Sequence, residues 1–213
     1  MYNTILFDLD GTITDSAPGI TRAAAYALKQ YGIYYNDLSE LNKFVGPPLI
    51  DSFEKYDEIQ DPLEAVAFFR EYYREKGMFD CTLYMGIEKL LIDLKENDKQ
   101  LIIATSKPEI FAKKILKHYQ LDHYFTFIAG STMDESRNTK GAVIKYALES
   151  CNQPRKSEVI MIGDRHHDID GANSQCLDSI GVLYGYGDYN ELSEAGATYI
   201  VESVKELSEL LLK

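Results

Sequence analysis

The chain opens with a short apolar run, Thr4–Leu9, that stops at Asp10-Gly11, the pattern of a buried strand entering a loop. From Ala17 to about Lys76 no strand pattern returns. Ala17–Tyr31 is alanine-rich with apolar residues at helical spacing, and Leu38–Phe44 predicts a short helix stopped by Gly46-Pro47-Pro48. Leu49–Tyr56 and Leu63–Lys76 predict two more, the last carrying Val66, Phe69 and Tyr73 on one stripe. After Gly86 helix and strand patterns alternate. Helices are predicted over Ile87–Asn97, Pro108–Tyr119, Lys140–Ser150, Asp168–Cys176 and Val204–Leu212. Strands are predicted over Gln100–Thr105, Phe125–Ala129, Val159–Ile162, Ser179–Leu183 and Tyr199–Val201. That alternation predicts an α/β fold, a parallel sheet with helices on both faces. The expected organisation is a core from residues 1–15 and 81–213, interrupted by a helical insert at 16–80. Ligands in such sheets sit at the carboxyl ends of the strands, so polar residues there carry the search for function.

Composition narrows the picture. With 45% hydrophobic and 26% charged residues in 213, the chain has the make-up of a globular protein, which argues against disorder and fibrous folds. A net charge of −12 argues against nucleic-acid binding, which needs clustered cations, and against a polybasic membrane anchor. An anionic substrate would meet a repulsive overall field, so its site must hold local positive charge. Cys81, Cys151 and Cys176 show no close pairing and read as reduced, buried thiols. The start, Met1–Gly11, has no basic region typical of a signal peptide, and no apolar run reaches the roughly 18–20 residues of a membrane span. The expectation is a cytoplasmic protein with a small-molecule partner, and neither nucleic acid nor membrane.

Asp8 and Asp10 flank Leu9 at the end of the first strand, and a spacing of two starts their side chains on one side of an extended chain. Two carboxylates so placed repel unless a cation sits between them. Alone, the pair reads more readily as solvated turn residues. A second apolar strand, however, ends in Asp164, with Asp168 four residues on. Asp8, Asp164 and Asp168 together form an oxygen-rich set suited to Mg²⁺. Asp168 has a second reading, as a helix-start residue complementing the macrodipole. Thr105 and Ser106 end another strand just before a predicted helix, where hydroxyls bind phosphate or simply cap. Lys140 stands at a helix start, where the macrodipole disfavours a cation; a functional role explains that placement, and a solvated lysine is the alternative.

Taken in order, Phe7-Asp8-Leu9-Asp10-Gly11-Thr12, Thr105-Ser106, Lys140 and Gly163–Asp168 resemble the four motifs of the haloacid dehalogenase (HAD) superfamily. The likeness covers essentially the whole chain, and the insert is similar to the superfamily's C1 helical cap. Phe44–Pro48 and Thr105–Pro108 resemble the phosphoglycolate phosphatase-like group, to which 5′-nucleotidases also belong. The resemblance implies a HAD-like Rossmannoid core with an all-helical cap that controls substrate access. It further implies a Mg²⁺-dependent phosphatase acting on a small phosphorylated metabolite. Asp8 would be the nucleophile and Asp10 the general acid and base. Thr105, Ser106 and Lys140 would hold phosphate. The metal would sit on Asp8, the Asp10 backbone carbonyl and Asp164, with Asp168 ligating directly or through water. Asp10 separates phosphatases from the superfamily's dehalogenases and phosphonatases, which lack it; Thr12 stands where sugar-phosphate mutases often carry valine. One departure is Gly141 after Lys140, where many phosphoglycolate phosphatases have proline. The expected substrate is phosphoglycolate-like, with nucleoside monophosphates as the alternative, ahead of a mutase or a phospho-acceptor module.

Within the insert, Arg22 and Lys43 are candidates to meet a second anionic group of the substrate, with solvated surface positions as the alternative. His166 and His167 are adjacent on a helix and point about 100° apart, which argues against chelation of one ion. Phe68, Phe69, Tyr72 and Tyr73 read as packing residues.

Overall fold

The computed structural model describes residues 2–134 and 136–212. Its contacts divide the chain into two compact units, 1–14 with 83–213, and 15–82.

The larger unit is built on β1 (Thr4–Phe7), β4 (Gln100–Pro108), β5 (Phe127–Ser131), β6 (Val159–Gly163), β7 (Asp178–Val182) and β8 (Tyr199–Val201). Two short strands, β2 (Thr14–Asp15) and β3 (Thr82–Leu83), pair separately where the chain passes between units. The six-stranded sheet has the order β5-β4-β1-β6-β7-β8, and every neighbouring pair is parallel. β1 is thus central, with β4 and β6 on its flanks. Register places Phe7 beside both Ile103 and Ile162, so β1 and β6 end within a residue of one level while β4 runs on past them to Pro108. The chain order reverses across β1, the kind of switch point where sheets of this class leave a crevice.

Helices of this unit are α4 (Ile87–Glu96), α5 (Glu109–His118), α6 (Lys140–Ser150), α7 (His166–Ser174), α8 (Tyr189–Glu194) and α9 (Val204–Leu211). Leu6, Ile102, Ala129 and Met161 form a fully buried cluster with Val143, Ile144 and Ala147 of α6 and Ala172 of α7. The period of two sends Ile5 and Phe7 to the opposite face, and they too are fully buried. A strand buried on both faces reads as an unbroken apolar run, which is why Thr4–Leu9 carries no alternation.

The insertion between β1 and β4 is helical: α1 (Ala17–Lys29), a 3₁₀ segment Leu38–Phe44, α2 (Leu49–Phe53), and α3 (Pro62–Tyr72) running into a π turn, Tyr73–Gly77. Asp61 starts α3, its carboxylate accepting the backbone N–H groups of Leu63 and Glu64, with Pro62 at the first helical position. The interior of this unit is aromatic. Phe44 and Phe53 lie 4.9 Å apart, Phe53 and Phe69 6.5 Å, and Phe69 stacks on Tyr73 at 5.6 Å.

Several expected elements shift. Phe125–Ala129 becomes Phe127–Ser131, because Asp122–Tyr124 forms a 3₁₀ turn that consumes the preceding residues. β4 runs to Pro108 through an irregularity between Ala104 and Pro108, so Thr105 and Ser106 lie in the strand rather than against the first turn of α5. α7 begins at His166, two residues earlier than expected. α8 was not anticipated, since Leu192 is its one buried residue and gives no period; Asp188, whose carboxylate accepts the Glu191 N–H at 2.9 Å, was its readable signal. The three cysteines are free, but Cys176 is exposed rather than buried: it sits in the turn just past α7, with φ +56°, before the chain re-enters at buried Leu177. No described helix is long and apolar enough to cross a membrane.

Candidate active site

Each predicted core residue comes to the carboxyl ends of β1, β4 and β6. Asp8 directly follows β1, and its N–H donates to the Ile162 carbonyl of β6 at 2.9 Å. Asp164 follows β6 and is fully buried; its Oδ2 accepts the Tyr186 N–H at 2.8 Å, while Oδ1 has no hydrogen-bond partner. Asp168, in the first turn of α7, divides its oxygens. Oδ2 accepts the Arg165 N–H at 3.1 Å, and Oδ1 lies 2.7 Å from the Lys140 ammonium. Asp168 thus engages the start of α7 with one oxygen and Lys140 with the other.

Lys140 is buried at the first turn of α6, whose N-cap Thr139 accepts the Ala142 N–H. Its Nζ donates to Asp8 Oδ1 at 2.7 Å and to the Ala104 carbonyl at 3.1 Å. Burial works against its charge, but Asp168 and Asp8 outweigh it and hold the ammonium above the usual lysine range. Carboxylate oxygens of Asp8, Asp164 and Asp168 lie within 4.8 Å of one another. Asp10 stands apart from that group: its Oδ2 pairs with Lys107 Nζ at 2.9 Å, and its Oδ1 is buried without a hydrogen-bond partner. Thr105 is buried, its Oγ1 accepting the Lys107 N–H at 3.2 Å, and Ser106 is half-buried beside it.

Gly11 is required by this packing. Its φ is +86°, and a Cβ there would lie 2.1 Å from Asp164 Oδ2, so a side chain would expel the carboxylate.

Four buried carboxylates, Asp8, Asp10, Asp164 and Asp168, face two buried ammonium groups, Lys107 and Lys140. Burial pushes Asp8 up to about 6, with Lys140 opposing and Asp168 and Asp10 adding to the rise. Asp164 is driven well above the usual carboxylate range by burial, then by Asp168 and Asp8. Hard oxygen donors, a net excess of two negative charges and an unpartnered buried oxygen on Asp164 fit a divalent cation such as Mg²⁺.

Lys107 is the residue that sequence reasoning missed. The period of two that pairs Asp8 with Asp10 also sets Lys107 with Thr105, a lysine that could be read as facing inward. Arg22 and Lys43 both have partners within the insertion. Arg22 pairs with Asp80, and Lys43 Nζ lies 5.8 Å and 5.0 Å from the ring centres of Tyr35 and Tyr56. His166 Nδ1 meets Asp170 Oδ2 at 3.0 Å, and His167 packs against its ring with 3.8 Å between centres.

A sheet of this order with three grouped, buried carboxylates beside a buried lysine defines a class, and comparison with known proteins identifies it. The family model of haloacid dehalogenase-like hydrolases matches residues 5–182, and the chain belongs to that family. A 5′-nucleotidase of Pseudomonas aeruginosa is 39% identical over 99% of this chain and 96% of its own. The tyrosine-protein kinase PtkA of Mycobacterium tuberculosis is 34% identical over 97% of this chain and 72% of its own. A phosphoglycolate phosphatase of Colwellia psychrerythraea is 28% identical, covering 95% and 94%. The crystal structure of a predicted phosphatase from Clostridium acetobutylicum superposes with a TM-score of 0.95, at 50% identity and coverage of 100% and 99%.

Proposed function

We propose that this chain is a Mg²⁺-dependent phosphatase that cleaves small phosphate monoesters through an aspartyl-phosphate on Asp8. The observation that carries the reading is the division of labour between two buried pairs, Asp8 on Lys140 and Asp10 on Lys107. One carboxylate is held for attack on phosphorus; the other keeps an oxygen free for proton transfer. Asp8 attacks in line while Lys140 offsets the charge that would otherwise repel the phosphoryl group. Asp10 gives its proton to the departing alkoxide and then takes one from the hydrolytic water. Thr105 and Ser106 offer hydroxyls to the phosphoryl oxygens. Asp8, the Asp10 backbone carbonyl, Asp164 and Asp168 would hold the cation, which when bound neutralises phosphoryl charge.

Nucleoside monophosphates lead as substrates, because the 39%-identical relative is named a 5′-nucleotidase and Lys140 is followed by glycine. Phosphoglycolate is the second reading, supported by the 28%-identical relative. The helical insertion acts as the cap that governs access, with Arg22 and Lys43 as its candidate substrate contacts. The test is phosphate release from nucleoside monophosphates, phosphoglycolate and sugar phosphates, with Mg²⁺ and with chelator. Mg²⁺-dependent release concentrated on one class is expected; no release from any of them by folded protein overturns the reading, and isomer formation instead would mark a mutase.

A further inference from the structure

The Lys107–Asp10 pair goes beyond charge balance. Lys107 Nζ and Asp10 Oδ2 are 2.9 Å apart with both side chains almost wholly removed from solvent, at 5% and 9% exposure. Burying two ions carries a desolvation cost that a solvated pair avoids, so the placement calls for a reason other than stability. The lysine is also fixed at its backbone. Its N–H donates to Thr105 Oγ1 at 3.2 Å. Its carbonyl meets β5 at Gly130, where a Cβ would stand 2.6 Å away.

A lone carboxyl group can turn and present either oxygen. Here Oδ2 is engaged by the ammonium and Oδ1 is the buried oxygen without a hydrogen-bond partner. A protonated Asp10 keeps this arrangement, because Oδ2 still accepts from Lys107 while the proton sits on Oδ1.

We infer that Lys107 is a positioning residue that fixes Asp10 Oδ1 as the atom delivering the proton to the leaving group. The inference rests on the phosphatase reading above. In the step concerned, a bond forms between an Asp8 carboxylate oxygen and phosphorus as the ester P–O bond breaks. The bonding pair departs on the ester oxygen, which takes the proton from Asp10 Oδ1. Water then attacks the aspartyl-phosphate, returns a proton to Asp10, and releases inorganic phosphate and free Asp8.

The experiment compares kcat/KM for a nucleoside 5′-monophosphate and for 4-nitrophenyl phosphate. The first expels a basic alkoxide that needs the proton; the second expels a weakly basic phenolate that does not. kcat/KM covers the steps up to leaving-group departure, so hydrolysis of the phosphoenzyme does not enter. Lys107→Met is expected to lower kcat/KM for the nucleotide by about 10²-fold or more, and for the aryl phosphate by less than about tenfold. The ratio between the two substrates does not depend on how much of the variant is folded. Asp10→Asn is expected to show the same dependence on leaving group, and the double variant to be no worse than Asp10→Asn alone. Equal losses on both substrates, or additive losses in the double variant, overturn the inference and leave the phosphatase reading standing. If wild-type enzyme with Mg²⁺ releases phosphate from neither substrate, that earlier reading fails instead.

Discussion

The mouth of the sheet and the interior of the insertion bury opposite kinds of residue. At the mouth of the sheet the buried side chains are Asp8, Asp10, Asp164, Asp168, Lys107 and Lys140; inside the insertion they are Phe44, Phe53, Phe69 and Tyr73. Apolar burial stabilises a fold, whereas buried charge costs desolvation and persists where it serves another end. One region buries charge at some expense of stability, and the other buries apolar surface that adds to it.

That contrast can be broken in graded steps. Asp8→Asn is expected to lower turnover by about 10⁴-fold or more, as loss of a nucleophile does, measured as Mg²⁺-dependent phosphate release. Its urea midpoint in chelator should be unchanged or raised, because burial makes the Asp8 charge costlier in the folded protein than in the unfolded chain. A clear fall in the midpoint would mean that the ionised Asp8 stabilises the fold, against the contrast drawn above. Phe53→Ala should do the reverse of Asp8→Asn in stability, costing about 3–5 kcal/mol of unfolding free energy through lost burial and the cavity left behind.

The cation supplies a third step. Mg²⁺ at about a hundredfold above its dissociation constant should stabilise the wild type by about 2.7 kcal/mol, read as a rise in Tm, and should not do so for Asp164→Asn. Asp8 is raised from 3.8 to about 6, so the cost of its charge is absent below 3.8 and full above about 6. Protons compete with the cation in that window, and the Tm increment should therefore shrink as pH falls through about 6. An increment that grows on acidification would contradict the assignment of Asp8 to the cation site.

The smallest effect belongs to the surface of the insertion. Arg22→Ala breaks a half-exposed pair with Asp80 and should cost roughly 0–1 kcal/mol. Its value lies in specificity: if Arg22→Ala and Lys43→Ala leave the substrate profile unchanged, neither residue contacts substrate. A changed ranking between nucleotides and phosphoglycolate would assign the cap its part in selection.

The alternation of strand and helix after Gly86, the helical run before it and the strand-end aspartates were readable because periodicity and punctuation are local properties. Fold class and the grouping of Asp8, Asp164 and Asp168 followed from them. Less legible were features set by neighbours: the irregular end of β4, the 3₁₀ turn that delays β5, and the exposure of Cys176. The same holds for Lys107. Its inward placement depends on the carboxylate that receives it, ninety-seven residues earlier in the chain, and a lysine near a strand end reads by default as solvated.

By itself the sequence determined the alternation of strand and helix, and that Asp8 and Asp164 follow strands of one parallel sheet, because residue type, spacing and hydrophobic period act along the chain. Only the tertiary structure decided how those charges are paired. Lys140 bridges Asp8 and Asp168, Lys107 takes Asp10, and Asp164 keeps a buried oxygen without a hydrogen-bond partner. The physical reason is that pairing depends on distance and desolvation between strands that meet side by side only after β1 has been flanked by β4 and β6.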